Sequence, residues 1–271
     1  MPEWGRVNRK HPCCICGKTD WCGTSPDGTL ACCMRIKSDR PARNGGWLHR
    51  ITDAPAPRVY VPPPRTVAPC TPDWAAMLRR FERDTRNIDV ERLAANLGVR
   101  AASLRRLGAC WAKEHRAWAF RMVNAKQKVV GVRLRAERGR KWAITGSRNG
   151  LFWPDDLVGT GPLLLAEGPT DVASLLDLGY ASIGRPSCAG AVEMVVEVVR
   201  HLRRRNVVVV ADGDGPGIDG ADRLAQALTE ADHRPKVIRP TQGKDARAWV
   251  QAGATREVVD AVIANALYWR P

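Results

Sequence analysis

Residues 163–185, LLLAEGPTDVASLLDLGYASIGR, and residues 206–214, NVVVVADGD, decide how this chain folds. LLLAE is apolar until its closing acid. The residues after it space their apolar side chains as a helix does, and ASIG returns to a short apolar run. Strands with no polar alternation must be buried on both faces, and a strand–helix–strand connection lays successive strands parallel. The same grammar continues to the end of the chain. It predicts a helix beginning at Thr170, strand ASIG, a helix from about Gly190 to Arg203, strand NVVVVAD, a helix from Ile218, strand KVIRP, and closing helices. Residues 161–271 therefore read as an α/β domain whose parallel sheet carries helices on both faces.

Acids fall at the ends of these strands. Glu167 closes LLLAE with Asp171 four residues on, Asp212 and Asp214 follow VVVVA, and Asp245 beside Lys244 follows KVIRP. In an open parallel sheet the strand carboxyl ends line the functional crevice, so the five carboxylates are expected to converge. Oxygen donors in that number suit Mg²⁺ or Mn²⁺, and two such ions can stabilise the attacking and leaving oxygens of a phosphoryl transfer. Asp171 at a helix start and Asp212 and Asp214 in a turn each have an ordinary structural use. Glu167 has none, and it is the expected acid/base residue, with Asp212 and Asp214 beside it as catalytic candidates.

Working toward the N-terminus, residues 74–160 form a basic mixed α/β subdomain. TPDWAAMLRRFERDT, NIDVERLAANLGV and RAASLRRLG read as helices, while AWAFRMV, KVVGVRLRA and KWAITGS alternate as strands do. Arg133, Arg135, Arg138, Arg140 and Lys141 crowd one predicted hairpin, preceded by Arg105, Arg106, Arg116 and Arg121. Basic residues at alternate strand positions make a stripe on one face, which neutralises phosphate without reading sequence. Residues 71–150 carry 19 Lys and Arg against 7 Asp and Glu, whereas residues 151–271 carry 13 against 16. One region is thus built to grip polyanions and another to hold acids. Tryptophans 111, 118, 142 and 153 sit among strands and are read as core.

Residues 53–73 hold seven of the 19 prolines and read as an extended linker. Before it, residues 1–52 have few large aliphatic side chains but six of the nine cysteines. Such a segment needs metal to fold. Cys13-x-x-Cys16-Gly17 has the spacing of a zinc knuckle, and DWCGTSPDGTLACC reads as a hairpin turning at Pro26-Asp27-Gly28. One tetrahedral Zn²⁺ takes four ligands from Cys13, Cys16, Cys22, Cys33 and His49. Cys13, Cys16, Cys33 and His49 are the expected set, with Cys22 competing for the fourth place. Cys14 and Cys32 are expected not to ligate, and Cys70, Cys110 and Cys188 read as linker or core residues.

The chain has 271 residues and a formal charge of +15. Its pI near 9.9 points to nucleic acid rather than to acidic protein partners. The segment MPEWGRVNRKH lacks the apolar stretch of a signal peptide and no apolar run is long enough to span a bilayer. A cytoplasmic protein with reduced cysteines and no membrane partner is expected. No G-x-x-x-x-G-K-[ST] occurs, so a built-in helicase motor is not expected.

LLLAEGPTDVASLL, VVVVADGDGPGIDGADRLA and GKDARAW together resemble the Toprim domain, the metal-dependent catalytic fold shared by DnaG-type primases, topoisomerases and certain nucleases. With the cysteine module in front, nearly the whole chain is similar to a DnaG-type primase of the phage or plasmid kind. The resemblance implies Asp171, Asp212, Asp214 and Asp245 as ligands of Mg²⁺ or Mn²⁺, with Glu167 as the acid/base residue. It also implies a basic surface, here Arg121, Arg133, Arg135, Lys141 and Lys244, that tracks single-stranded DNA template and nucleoside triphosphates. The implied activity is RNA primer synthesis, with the zinc module assisting template recognition and a separate replicative helicase as partner. The chain departs from the pattern where the primase ribbon has a second C-x-x-C and this sequence has Cys33-Met-Arg-Ile36. A metal-dependent nuclease using the same carboxylates, and a non-catalytic zinc-containing DNA-binding factor, are the rival readings.

Overall fold

The computed structural model describes residues 4–42, 45–51, 72–137, 139–202 and 206–271. The expected linker at 53–73, Cys70, Arg138 and the end of the helix at Arg203 lie wholly or mostly outside them. The chain divides into two compact units, residues 1–68 and 69–271.

The first unit is a four-stranded antiparallel sheet in chain order: β1 (Gly5–Arg6), β2 (Gly23–Thr24), β3 (Leu30–Cys33) and β4 (Trp47–Arg50). The hairpin expected from DWCGTSPDGTLACC is present, with Gly23 opposite Cys32. Among the described residues its buried cluster is made of Cys13, Cys22 and Cys33, with Val7, Ile15, Cys16 and Met34 packed around them.

The second unit opens with α1 (Trp74–Asp84), α2 (Asn87–Leu97) and α3 (Ala101–Arg106). An antiparallel meander follows: β5 (Cys110–Ala112), β6 (Ala117–Val123), β7 (Val129–Arg135) and β8 (Lys141–Ala143). Asp73 caps α1 by accepting from Ala76 N–H at 2.9 Å, and Trp74, Leu78 and Phe81 pack on Ala117, Ala119, Val132 and Leu134 of the meander.

Four parallel strands complete the unit: β9 (Leu163–Glu167), β10 (Ala181–Arg185), β11 (Val207–Val210) and β12 (Lys236–Ile238), in the spatial order β10-β9-β11-β12. Their connections are α4 (Gly168–Asp177), α5 (Val192–His201) and α6 (Gly215–Glu230), and α7 (Ala246–Gln251) and α8 (Arg256–Asn265) close the chain. Alternate strand residues feed two cores, as a strand's period of two requires. Leu164, Ala166, Val208 and Val210 join Val172, Leu175, Trp249 and Val259 on one face. Leu163, Leu165, Val207 and Val209 join Val195, Val199, Leu224 and Leu228 on the other. Helices thus cover both faces.

Two helix starts differ from expectation. α4 begins at Gly168 rather than Thr170, and α6 at Gly215 rather than Ile218. A Pro near the start of each has its φ already set for the first turn, and it draws the helix back to the strand-end acid.

The basic meander and the parallel sheet belong to one compact unit. Leu151 exchanges hydrogen bonds with Val123 of β6 at 2.7 and 2.9 Å, and the next residue, Phe152, exchanges a pair with Gly184 of β10 at 2.9 Å each. Phe120 and Met122 share one core with Leu164 and Val172. Among the described residues, no helix is long and apolar enough to cross a membrane.

Phe152 is 2% exposed at this junction. Phe152→Ala should lower the unfolding free energy by about 3–5 kcal/mol. A guanidinium titration followed by near-UV circular dichroism should show the lower midpoint.

Candidate functional site

The order β10-β9-β11-β12 places the switch in winding direction between β9 and β11, since β9 connects onward to β10 on one side and β11 to β12 on the other. Crevices of open α/β sheets form outside the carboxyl ends at such a point. Glu167 ends β9 there and Asp212 follows β11. A cavity of about 230 Å³ is lined by Glu167, Asp171, Asp212 and Asp245, together with Arg133, Arg135, Lys141 and Lys244. Four of the five expected carboxylates share it.

Each acid is placed by its backbone. Asp245 caps α7 by accepting from Ala248 N–H at 2.7 Å, and Asp214 caps α6 by accepting from Gly217 N–H at 2.8 Å. Asp214 is not among the cavity-lining residues, yet its charge reaches Glu167 and Asp212. A Cβ on Gly217 would lie 2.7 Å from Asp212 Cβ, so a glycine lets the first turn of α6 press against the Asp212 loop. Gly213 N–H donates to Lys244 O at 2.7 Å, tying the Asp212 loop to the loop of Lys244 and Asp245. Asp171 is 5% exposed and accepts from Arg247 N–H at 3.1 Å.

Burial and mutual repulsion dominate the electrostatics. Burial, then the charges of Asp212 and Asp214, push Glu167 up to about 7 against the pull of Arg185 and Lys141. Asp171 rises to about 7 through burial and Asp245, and Asp212 to about 6 through burial, Asp245 and Asp214. Lys141 is lowered by burial and by Arg135, and Arg133 and Arg135 are lowered chiefly by burial.

The residues present fit hard divalent cations. Every acidic donor is a carboxylate oxygen, and Glu167 Oε1 is buried without a hydrogen-bond donor. The acids nevertheless spread wider than one ion's shell. Among the described residues, only the cysteine cluster brings three or more His, Cys, Asp or Glu ligand atoms within 4.8 Å of one another.

The basic stripe forms as alternation requires. Arg133 pairs with Phe120, and Arg135 with both Trp118 and Lys141, so the three cations share one face of the meander. Arg121 does not join them. It neighbours Phe120 along β6 and so points to the opposite face, where it is ion-paired with Asp155 and donates to Trp153 O at 3.4 Å. Arg106 is paired with Asp156, Arg105 with Glu91, and Arg140 stacks over Trp142.

Arg185 was not singled out by sequence reasoning. It ends β10 in register with Glu167, is 2% exposed, and lies 3.7 Å from the Glu167 carboxylate. Its Nη1 donates to Cys188 O at 2.7 Å. The signal was available: β9 and β10 are equal in length, so the Arg closing ASIGR stands beside the Glu closing LLLAE.

In the first unit, Cys13, Cys16, Cys22 and Cys33 bring their Sγ atoms within 4.8 Å of one another. Cys16 and Cys22 are 3.7 Å apart, close to the edge of about 3.8 Å expected for thiolates 2.3 Å from a tetrahedral Zn²⁺. Met34 N–H donates to Cys22 Sγ at 3.4 Å and Ile36 N–H to Cys33 Sγ at 3.3 Å, bonds that suit thiolates. His49 stands outside the group. It faces Ala31 on the neighbouring strand, and its Nε2 is 2.9 Å from Ile36 O. Cys22 takes the fourth place because the turn entering β2 leaves it across the hairpin from Cys33. Cys14 is exposed and Cys32 lies buried on β3, both outside the cluster.

Residues 164–249, which carry the parallel sheet's strand-end acids, match the model of the Toprim-like family. The fold is also similar to that of solved primase structures. A structure of the DnaG catalytic core is similar at TM-score 0.57 and 14% identity, covering 72% of this chain and 79% of that one. The primase fragment of the bacteriophage T7 primase-helicase protein is similar at TM-score 0.52 and 17% identity, covering 96% of this chain and 100% of that one. The zinc-binding and RNA polymerase domains of Aquifex aeolicus primase match at TM-score 0.57 and 12% identity, covering 71% and 60%. No curated sequence matches the chain.

Two expectations follow. Cys22→Ser should lose bound zinc while His49→Ala keeps about one per chain, as read by metal analysis. Glu167, Asp171 and Asp212 bind protons more tightly folded than unfolded, so metal-free protein should lose stability as pH rises from about 4 to about 7. Thermal melts across that range should show the loss, its recovery with added Mg²⁺, and a higher midpoint for Asp212→Asn at pH 8.

Proposed function

We propose that this protein is a primase, a nucleotidyltransferase that synthesises short RNA primers on single-stranded DNA. One observation carries the reading: carboxylates suited to divalent cations and a row of cations suited to phosphate line the same cavity from facing sheets. Polymerisation needs both, because a triphosphate must be aligned with a hydroxyl and its charge neutralised.

Glu167, Asp171, Asp212, Asp214 and Asp245 are the proposed holders of Mg²⁺ or Mn²⁺. Bound there, such ions would neutralise charge on the attacking and leaving oxygens. Arg133, Arg135, Lys141 and Lys244 orient the incoming nucleoside triphosphate and the template backbone by charge-assisted hydrogen bonds. Glu167, pushed to about 7, is poised to take the proton of the primer 3′-hydroxyl, and Arg185 beside it stabilises the ionised form. Arg121, held by Asp155 on the other face, is left out of the site. The cysteine cluster holds one structural zinc, and its unit assists in reading the template.

The DnaG catalytic domain has been seen bound to single-stranded DNA, and a T7 structure contains primase domains on an RNA/DNA hybrid. A separate replicative helicase is proposed as partner.

Incubation with single-stranded DNA, labelled ribonucleotides and Mg²⁺ or Mn²⁺ should yield short products. Glu167→Gln and Asp212→Asn should each reduce their yield by about 10² or more. Loss of the DNA without synthesis would replace this reading with a nuclease, and binding with neither would replace it with a DNA-binding factor.

A further inference from the structure

Trp21 is 80% exposed, in a unit that has little apolar surface to spare. Its φ is +64°, which bulky side chains rarely adopt. The cause is a three-residue turn closed by Cys22 N–H donating to Asp20 O at 2.8 Å, with Trp21 at its apex. Turns of this kind are strained, and glycine would relieve the strain. The ring does not bury the metal cluster: Cys22 is 3% exposed while its neighbour projects outward. A large aromatic side chain is thus held on a rigid, unfavourable corner with no packing return inside its own unit.

The corner is pinned by an ion pair and belongs to a basic unit. Arg35 donates from Nη2 to Asp20 Oδ1 at 2.8 Å and from Nη1 to Asp20 O at 3.0 Å, clamping the residue before Trp21 to the strand side of the hairpin. Lys18, also exposed, is three residues away. The described residues of this unit carry eight Lys and Arg against three Asp. An exposed π-surface on a unit of net positive charge matches an unpaired nucleobase with its phosphates, because any base offers a face to stack and the backbone supplies the counter-charge.

We propose that Trp21 is a stacking platform for one unpaired base of a single-stranded nucleic acid, held out by the turn that delivers Cys22 to the cluster. The proposal rests on the reading that this chain grips a single strand, and it assigns a contact in the first unit that is separate from the carboxylate cavity. Stacking on one aromatic ring is worth roughly five- to hundredfold in affinity per base.

The test uses the full-length, zinc-loaded protein and fluorescence anisotropy of two labelled probes of equal length, an oligo-dT and an abasic sugar-phosphate strand. Wild type should prefer oligo-dT. Trp21→Gly, which relieves the backbone strain, should keep one zinc and resist chelator at least as well as wild type, yet bind oligo-dT about tenfold more weakly and the abasic strand unchanged. Trp21→Phe should fall between. Equal binding of oligo-dT by Trp21→Gly and wild type overturns the proposal, as does an equal loss for both probes or a loss of zinc, which would make the ring structural. If primer synthesis persists in that case, the proposed function stands and only this assignment falls. A wild type that binds neither strand sinks both.

Discussion

Negative charge gathered at the ends of buried strands is the condition around which the second unit is arranged. Glu167, Asp171 and Asp212 each sit where burial and a neighbouring acid oppose ionisation. No arrangement of apolar residues requires this, and a stable core alone would be better served without it. The structure offsets the repulsion with Arg185 in register beside Glu167 and with Lys141 approaching from the meander. Oε1 of Glu167 is buried without a hydrogen bond, with the Arg185 guanidinium 3.7 Å away, so this cluster of acids suits divalent cations.

That condition also explains why the basic meander is fused to the parallel sheet. Residues 151 and 152 hydrogen-bond to one sheet and then to the other, and Phe120, Met122, Leu164 and Val172 share a core. A flexible hinge here would let the cations of β7 and β8 drift from the acids they face. Rigid placement matters because aligned groups avoid the entropy of being brought together during each reaction. Arg133 and Arg135 stand cross-strand from the buried Phe120 and Trp118, so the stripe is positioned by strand pairing rather than by loop conformation.

The first unit solves a different problem. Among its described residues four cysteines and Ala31 are buried, with a handful of half-buried apolar side chains around them, an interior too small to fold on apolar burial alone and suited to stabilisation by a metal. Short antiparallel strands suffice to bring the four thiols together, which leaves the outer surface free to be basic and to carry an exposed aromatic.

Much of this was legible in the sequence, because the signals are local. Near-continuous apolar runs specify strands buried on both faces, acids at their ends specify a crevice, and alternating Arg on β7 specifies a stripe, since each follows from a backbone period of known length. The sequence also narrowed the zinc donors to five residues, but it could not choose between His49 and Cys22. That choice depends on which side chain crosses the hairpin toward Cys33, a matter of strand pairing. Tertiary structure alone decided that Arg121 serves Asp155 rather than the cavity, that Asp214 caps a helix in an exposed position outside the cavity lining, and that Arg185 pairs with Glu167. Each of these turns on which face of a strand or which end of a helix meets a distant segment, and residue spacing along one strand does not encode the identity of the neighbour across it.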